Sequence, residues 1–320
     1  MTSSPPASAS SATVPAALEA AELALLRATG SEIGRHEVTT ANGIQLHYLT
    51  CGEDMTRPPL LLLHGRGCAA ARFAPVLPLL AAERRVIALD LPGWGLSAKP
   101  PFTGRTAQDA LDLWVGAVRD FLDAQAIDVV DLAGHSMGGF TALGFALAHP
   151  DRVNRLALID PGGLGRRMQL DVRLYFALGP ERLRRLFGSR LTRLVARRET
   201  PRRGSPALAA EDLAFSDALA AQANIIPSGA KAFSAWVGLT GIHLTLTDRL
   251  AELAMPVLLL WGIRDQVTPY DAAMPAARKL RDGTLVTFVR CGHFPFIERP
   301  DDFARVLLTW LKNIHVRSRA

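Results

Sequence analysis

Apolar residues fall along this chain in two alternating rhythms. Leu60–Leu63 is an unbroken apolar run, as a strand buried on both faces requires. Arg85–Asp90, Asp128–Ala133, Arg152–Asp160, Met255–Trp261 and Thr284–Arg290 are short apolar segments that read as further strands. Between them lie stretches with helical spacing: Ala69–Ala82, Thr106–Gln125, Ser136–His149, Ala272–Leu280 and Pro300–Lys312. Two more β-like runs, His36–Thr40 and Ile44–Thr50, flank the turn signal Asn42-Gly43. Buried strands alternating with helices predict a mostly parallel sheet joined by right-handed crossovers.

The alternation stops after the sixth strand. Residues 161–250 are rich in Arg, Ala and Leu and read as helical throughout, after which strand and helix alternate again. The expected organisation is a disordered tail over 1–15 and an N-terminal helix and linker over 16–35. An α/β core over 36–160 and 251–320 follows, interrupted by a helical insertion over 161–250. Within the second piece, Ala16–Arg27 has helical apolar spacing and stops at Thr29-Gly30.

Composition narrows the class only slightly. Of 320 residues, 49% are hydrophobic and 21% charged, as in an ordinary globular protein. The first 15 residues are Ser/Ala/Pro-rich without Lys or Arg, so they lack the basic start and apolar run of a secretory signal. No segment reaches the ~18 uninterrupted apolar residues of a membrane span. Cys51, Cys68 and Cys291 are too few and odd in number for a disulfide framework. A soluble, cytoplasmic chain is the expectation.

Charge adds one local feature. The net charge is +6, yet residues 161–204 alone hold twelve arginines against Asp171, Glu181 and Glu199. Within them, Glu181–Arg198 sets Leu183, Leu186, Phe187, Leu191, Leu194 and Val195 on one helical side. Arg182, Arg184, Arg185, Arg193 and Arg197 tend to the other, and Gly188 weakens the middle. Such a helix is expected to pack its apolar face on the core and solvate its charges. The alternative is peripheral contact with an anionic membrane. The basic run lacks interleaved aromatics, so no nucleic-acid partner is expected.

The chemistry concentrates at Gly134-His135-Ser136-Met137-Gly138, where a buried strand runs straight into a helix. A turn that tight needs small residues two before and two after the serine, which Gly134 and Gly138 supply. It lifts the hydroxyl over the sheet edge and points the helix N-terminus at it. Other motifs follow strand ends: His64-Gly65-Arg66-Gly67, Asp90-Leu-Pro-Gly93-Trp94-Gly95-Leu-Ser97, Trp261-Gly262-Ile-Arg-Asp265 and Gly292-His293.

In this order, these motifs resemble the α/β-hydrolase superfamily over about residues 36–315. The resemblance implies a helical cap over the nucleophile and a triad of Ser136, an acid and His293. Asp265 is the expected acid, and Asp160, at the end of the sixth strand, is the alternative that some relatives use. It also implies an oxyanion hole made by the backbone N–H groups of Met137 and Arg66. His64 and Gly65 support that turn, and His135 is expected to point away from the serine hydroxyl. The Arg66 side chain is expected to extend to solvent, with an anionic part of the substrate as its other destination. Phe233, Trp236 and His243 are expected in the core, with a place along an acyl pocket as their other reading.

A serine at the elbow argues against epoxide hydrolysis and dehalogenation, which need a carboxylate nucleophile in relatives of this fold. The expected activity is hydrolysis of carboxylic esters with fairly apolar acyl groups through an acyl-Ser136 intermediate. Three alternatives stay open: a C–C bond hydrolase of dienoic diketone acids, an acyltransferase, and a low-turnover ligand receptor or lipid-associated protein. The expected partner is a small ester or acyl molecule. No metal cluster, phosphate loop or nucleotide motif is visible, so no metal and no cofactor are expected.

Overall fold

The computed structural model describes residues 13–53, 56–176, 178, 185–186, 208–225 and 228–312. Tail residues 1–12 lie outside them, as does the amphipathic stretch Glu181–Arg198 apart from Arg185 and Leu186.

Eight strands form one sheet: β1 (Gly34–Thr39), β2 (Gln45–Cys51), β3 (Leu60–Leu63), β4 (Val86–Leu89), β5 (Val130–His135), β6 (Val153–Ile159), β7 (Val257–Gly262) and β8 (Gly283–Phe288). Their order is β1-β2-β4-β3-β5-β6-β7-β8. The β1–β2 and β2–β4 pairs are antiparallel, and every later pair is parallel. The all-apolar runs occupy the middle because helices cover both faces there.

On one face lie α2 (Ala107–Ala124) and α3 (Met137–Ala148). Thr106 caps α2 reciprocally with Asp109, satisfying donors that open the helix. On the other face lie α1 (Thr13–Ala28) and the final helix, numbered α6 below. Between β6 and β7 come α4 (Ala209–Ile225) and α5 (Ser228–Trp236). A short hairpin follows, Val237–Gly238 against Gly241–Ile242, so this segment is not helical throughout. Helix α6 spans Pro300–Lys312.

Two other expectations need correcting. Ala69–Ala82 is no continuous helix but a turn over Ala70–Phe73 and a short helix over Leu77–Ala81. Pro75 and Pro78 interrupt it, since neither can donate to the helical ladder. Strand β5 runs two residues further than its apolar core, with Gly134 and His135 laddered to Leu158 and Ile159 of β6. Ser136 therefore follows the strand directly.

The N-terminal helix is fixed in place by burial and charge. Leu18, Leu25 and Leu26 are buried beneath it, and α1 packs against α4. Fully buried Glu22 reaches His47 of β2 at 3.3 Å, and the other ring nitrogen of His47 lies 3.0 Å from Asp90. The imidazole thus sits between two carboxylates, one near each nitrogen, and the Arg35 guanidinium donates to Glu22 Oε1 at 2.8 Å.

Candidate active site

Ser136 stands between β5 and α3 at φ 55 and ψ −114, a backbone conformation that L-residues rarely adopt. Neighbours hold it there. Its N–H donates to the Ile159 carbonyl (3.0 Å), and its own carbonyl accepts from Phe140 (3.1 Å) and Gly162 (3.0 Å). The turn leaves no room for side chains at its flanks. A Cβ on Gly134 would lie 2.2 Å from the Gly138 carbonyl oxygen, and one on Gly138 2.3 Å from that of Leu63.

His293, in the loop after β8, is 5% exposed. Its Nδ1–H donates to Asp265 Oδ2 at 2.7 Å. Asp265 follows β7, and its carboxylate is fully engaged. Oδ1 accepts the N–H groups of Val267 (2.7 Å) and Thr268 (3.0 Å), and Oδ2 accepts the Thr268 hydroxyl (2.6 Å). The alternative acid, Asp160, accepts the Gly262 N–H at 2.8 Å instead. The structure brings Asp265, not Asp160, against His293.

Two other histidines are committed elsewhere. His64 Nδ1–H donates to the Gly65 carbonyl (2.8 Å) while Nε2 accepts from the Leu91 N–H (3.0 Å). That bonding defines a neutral tautomer, and burial holds its pKa below the usual histidine value. His64 thereby ties the turn carrying Gly65 and Arg66 to the loop after β4. A Cβ on Gly65 would lie 3.1 Å from Ser136 Cβ, so this turn abuts the elbow. His135 donates Nε2–H to the His293 carbonyl (2.7 Å), and its pKa is held well below the usual value by burial and by His293.

Met137 opens α3, so its N–H has no intrahelical acceptor. The Arg66 side chain does not run out to solvent. Its guanidinium carbon lies 4.5 Å from the Phe176 ring centroid, 5.2 Å from Phe233 and 5.8 Å from Tyr175. The electron-rich ring faces draw the cation inward.

Trp236 stacks on Phe140 with centroids 4.0 Å apart and lies 2.5 Å from where a Cβ on Gly162, itself bonded to the Ser136 carbonyl, would be. Phe233 meets it edge-on at 5.6 Å. His243 is exposed, bonded to Ala235 and Thr240, and belongs to neither core nor pocket. Sequence reasoning missed Thr268, whose only sequence signal is its place just before Pro269. It also missed Tyr175 and Phe176, which nothing in the pattern distinguishes from packing residues.

Comparison with known proteins agrees with this geometry. The α/β-hydrolase fold family profile matches residues 58–300. A 2-hydroxymuconate semialdehyde hydrolase of Pseudomonas sp. (strain CF600) is 31% identical, covering 86% of this chain and 93% of that protein. The 2-hydroxy-6-oxononadienedioate/2-hydroxy-6-oxononatrienedioate hydrolase 1 of Dechloromonas aromatica (strain RCB) is 29% identical over 84% of this chain and 91% of its own. Among solved structures, a membrane phospholipase A described as a bacterial virulence factor superposes with a TM-score of 0.68. It is 27% identical, over 94% of this chain and 91% of that one. With the sheet order, the elbow and the family match in agreement, the chain belongs to the α/β-hydrolase fold family and is a hydrolase of that kind.

Proposed function

We propose that this protein is a serine hydrolase cleaving carboxylic esters of fairly apolar acyl groups, with Ser136, His293 and Asp265 as its triad. The observation that carries the reading is the His293–Asp265 hydrogen bond beside an elbow in which Gly134 and Gly138 flank Ser136. With Nδ1 bonded to Asp265, His293 keeps Nε2 as the base. Ser136 Oγ attacks the ester carbonyl as Nε2 takes its proton, and the backbone N–H groups of Met137 and Arg66 stabilise the oxyanion. His293 then hands the proton to the departing alkoxide, leaving acyl-Ser136. A water deprotonated by His293 attacks the acyl carbon, and the acid leaves as Ser136 regains its proton.

Residues 161–250 act as the cap, and Trp236, Phe140 and Phe233 form the apolar wall for the acyl group. Ester cleavage asks for one base, and His64 and His135 are occupied by structural bonds. The solved phospholipase supports this reading, since its name is that of a lipid-ester hydrolase.

A C–C bond hydrolase is the second reading. Relatives named for cleaving dienedioates and a muconate semialdehyde favour it, as does the Arg66 cation beside the oxyanion turn, suited to a substrate carboxylate.

A chain-length series of p-nitrophenyl esters, run beside a 2-hydroxy-6-oxo-dienoate, tests both. Ester turnover that falls by up to ~10⁶-fold in Ser136→Ala is the expected result. Consumption of the dienoate alone, with every ester untouched, would replace ester hydrolysis by the second reading.

A further inference from the structure

The loop that carries His293 is gripped on both sides of the base by one residue. Glu298 ends a single helical turn, Pro295–Glu298, that begins just after Phe294. Its side chain reaches back past the start of that turn, and Oε2 accepts the Gly292 N–H at 3.0 Å. Its backbone N–H donates to the Phe294 carbonyl at 2.8 Å. Gly292 and Phe294 are the immediate neighbours of His293. Like the acid of a capping box, Glu298 satisfies a backbone donor upstream of the helix.

Packing holds the same peptide from the opposite side. A Cβ on Gly262 would overlap the Gly292 carbonyl oxygen, and one on Gly292 would lie 2.9 Å from Glu298 Oε1. Gly292 is therefore wedged between the end of β7 and the Glu298 carboxylate. Gly262 ends the strand that leads to Asp265, so the base loop is pressed against the segment that carries its acid. His135 holds the His293 carbonyl, which leaves the peptide before the ring to Glu298. Gly292 is buried and Glu298 only partly so, so the N–H depends on a carboxylate that keeps contact with solvent.

We propose that Glu298 is a positioning residue of the active site, whose bond to the Gly292 N–H sets where the His293 ring stands between Asp265 and Ser136. This rests on Ser136, His293 and Asp265 being the reacting unit. Glu298 acts through the loop rather than on the reacting atoms. Without its carboxylate a buried N–H is left unsatisfied, and the loop turns to find water or another acceptor. The ring is carried with it, and a displacement of ~1 Å is enough to slow a reaction ~100-fold.

The test is the rate at which a fluorophosphonate labels Ser136 in the purified full chain, with kcat and KM on a p-nitrophenyl ester alongside. It is run well below the melting temperature, where every variant is folded. Glu298→Ala is expected to label ~10-fold or more slowly and to lose kcat with KM nearly unchanged, because the acyl wall is untouched. Glu298→Gln keeps an oxygen that accepts the Gly292 N–H. It is expected to stay within ~3-fold of wild type, a neutral acceptor being the weaker one. A Glu298 that served stability alone would lower the melting temperature when removed and slow neither variant.

Labelling of Glu298→Ala at the wild-type rate would overturn the proposal. So would a glutamine variant as slow as the alanine one, because the charge of Glu298 rather than its bond to Gly292 would then matter. Circular dichroism checks folding. Glu298→Met, which keeps the length and drops the acceptor, supplies the same comparison if the alanine variant unfolds. An unlabelled wild-type serine is a separate result, sinking the triad and the role of Glu298 with it.

Discussion

His135 and His293 are joined by a hydrogen bond from the His135 ring to the His293 backbone carbonyl, 2.7 Å long and fully buried. The rings lie 4.6 Å apart. The residue before the nucleophile thus ties β5 to the loop after β8 that carries the base. His135→Phe keeps the ring and removes the donor. Leaving that carbonyl unpaired is expected to cost about 1–3 kcal/mol and to lower kcat more than it changes KM. Thermal unfolding and ester kinetics check this, and an unchanged melting point with unchanged kcat would refute the coupling.

The elbow makes a steric prediction. Gly134→Ala puts a methyl 2.2 Å from the Gly138 carbonyl oxygen, which is backbone and has no rotamer to escape into. Either the turn opens or the protein fails to fold, and activity is expected to fall at least ~100-fold, as for small misplacements of a reacting group. Full activity with a native circular-dichroism spectrum would show that the turn has slack the structure does not display.

Much of the fold was legible because its strands are buried on both faces. Leu60–Leu63 and the apolar run within Met255–Trp261 need no alternation to be recognised. The elbow was legible because its steric demand is written in glycines two residues either side of Ser136. What stayed hidden depends on contacts distant in sequence. Glu22, His47 and Asp90 form one cluster from three segments far apart in the chain, and nothing in the sequence pattern joins them. Arg66 reads as a solvated arginine until Phe176 and Phe233 arrive from beyond β6. Asp160 and Asp265 both follow strands, the sequence favours Asp265 as the acid, and the geometry around His293 pairs Asp265 with the ring.

The His47 cluster makes folding stability depend on pH. Burial alone would lower the His47 pKa, but its bonds to Asp90 and Glu22 and their charges outweigh burial and raise it from 6.5 to about 10. A folded-state pKa above the unfolded one means that this stabilisation is complete below about pH 6.5 and fades as pH rises through about 10. Urea unfolding at neutral and at alkaline pH is expected to show a loss of about 1 kcal/mol or more across that window. Glu22→Gln removes one of the two carboxylates and should flatten the dependence. Parallel pH profiles for the two proteins would mean that His47 is not the titrating group.

Arg72 links α4 to the loop that carries the base. Its Nη1 donates to Asp212 Oδ1 and Ser216 Oγ of α4, both at 2.7 Å, and its guanidinium carbon lies 5.6 Å from the Phe294 ring centroid. The Arg72 side chain is 7% exposed and that of Asp212 18%, so the pair is shielded but not fully dry. Breaking it from one side leaves a largely buried charge without its partner, at an expected cost of about 1–3 kcal/mol once partial solvation is allowed for. Arg72→Met and Asp212→Asn should therefore each destabilise the protein. Their combination should cost less than the two effects added, with a coupling of ~1 kcal/mol or more in a double-mutant cycle. Hydrogen exchange across 208–225 should quicken in both single variants, because this bond ties the helix to the core. Strict additivity with unaltered exchange would instead make Arg72 a bystander, leaving α1 and the apolar contacts of Phe215 and Leu219 to hold α4 alone.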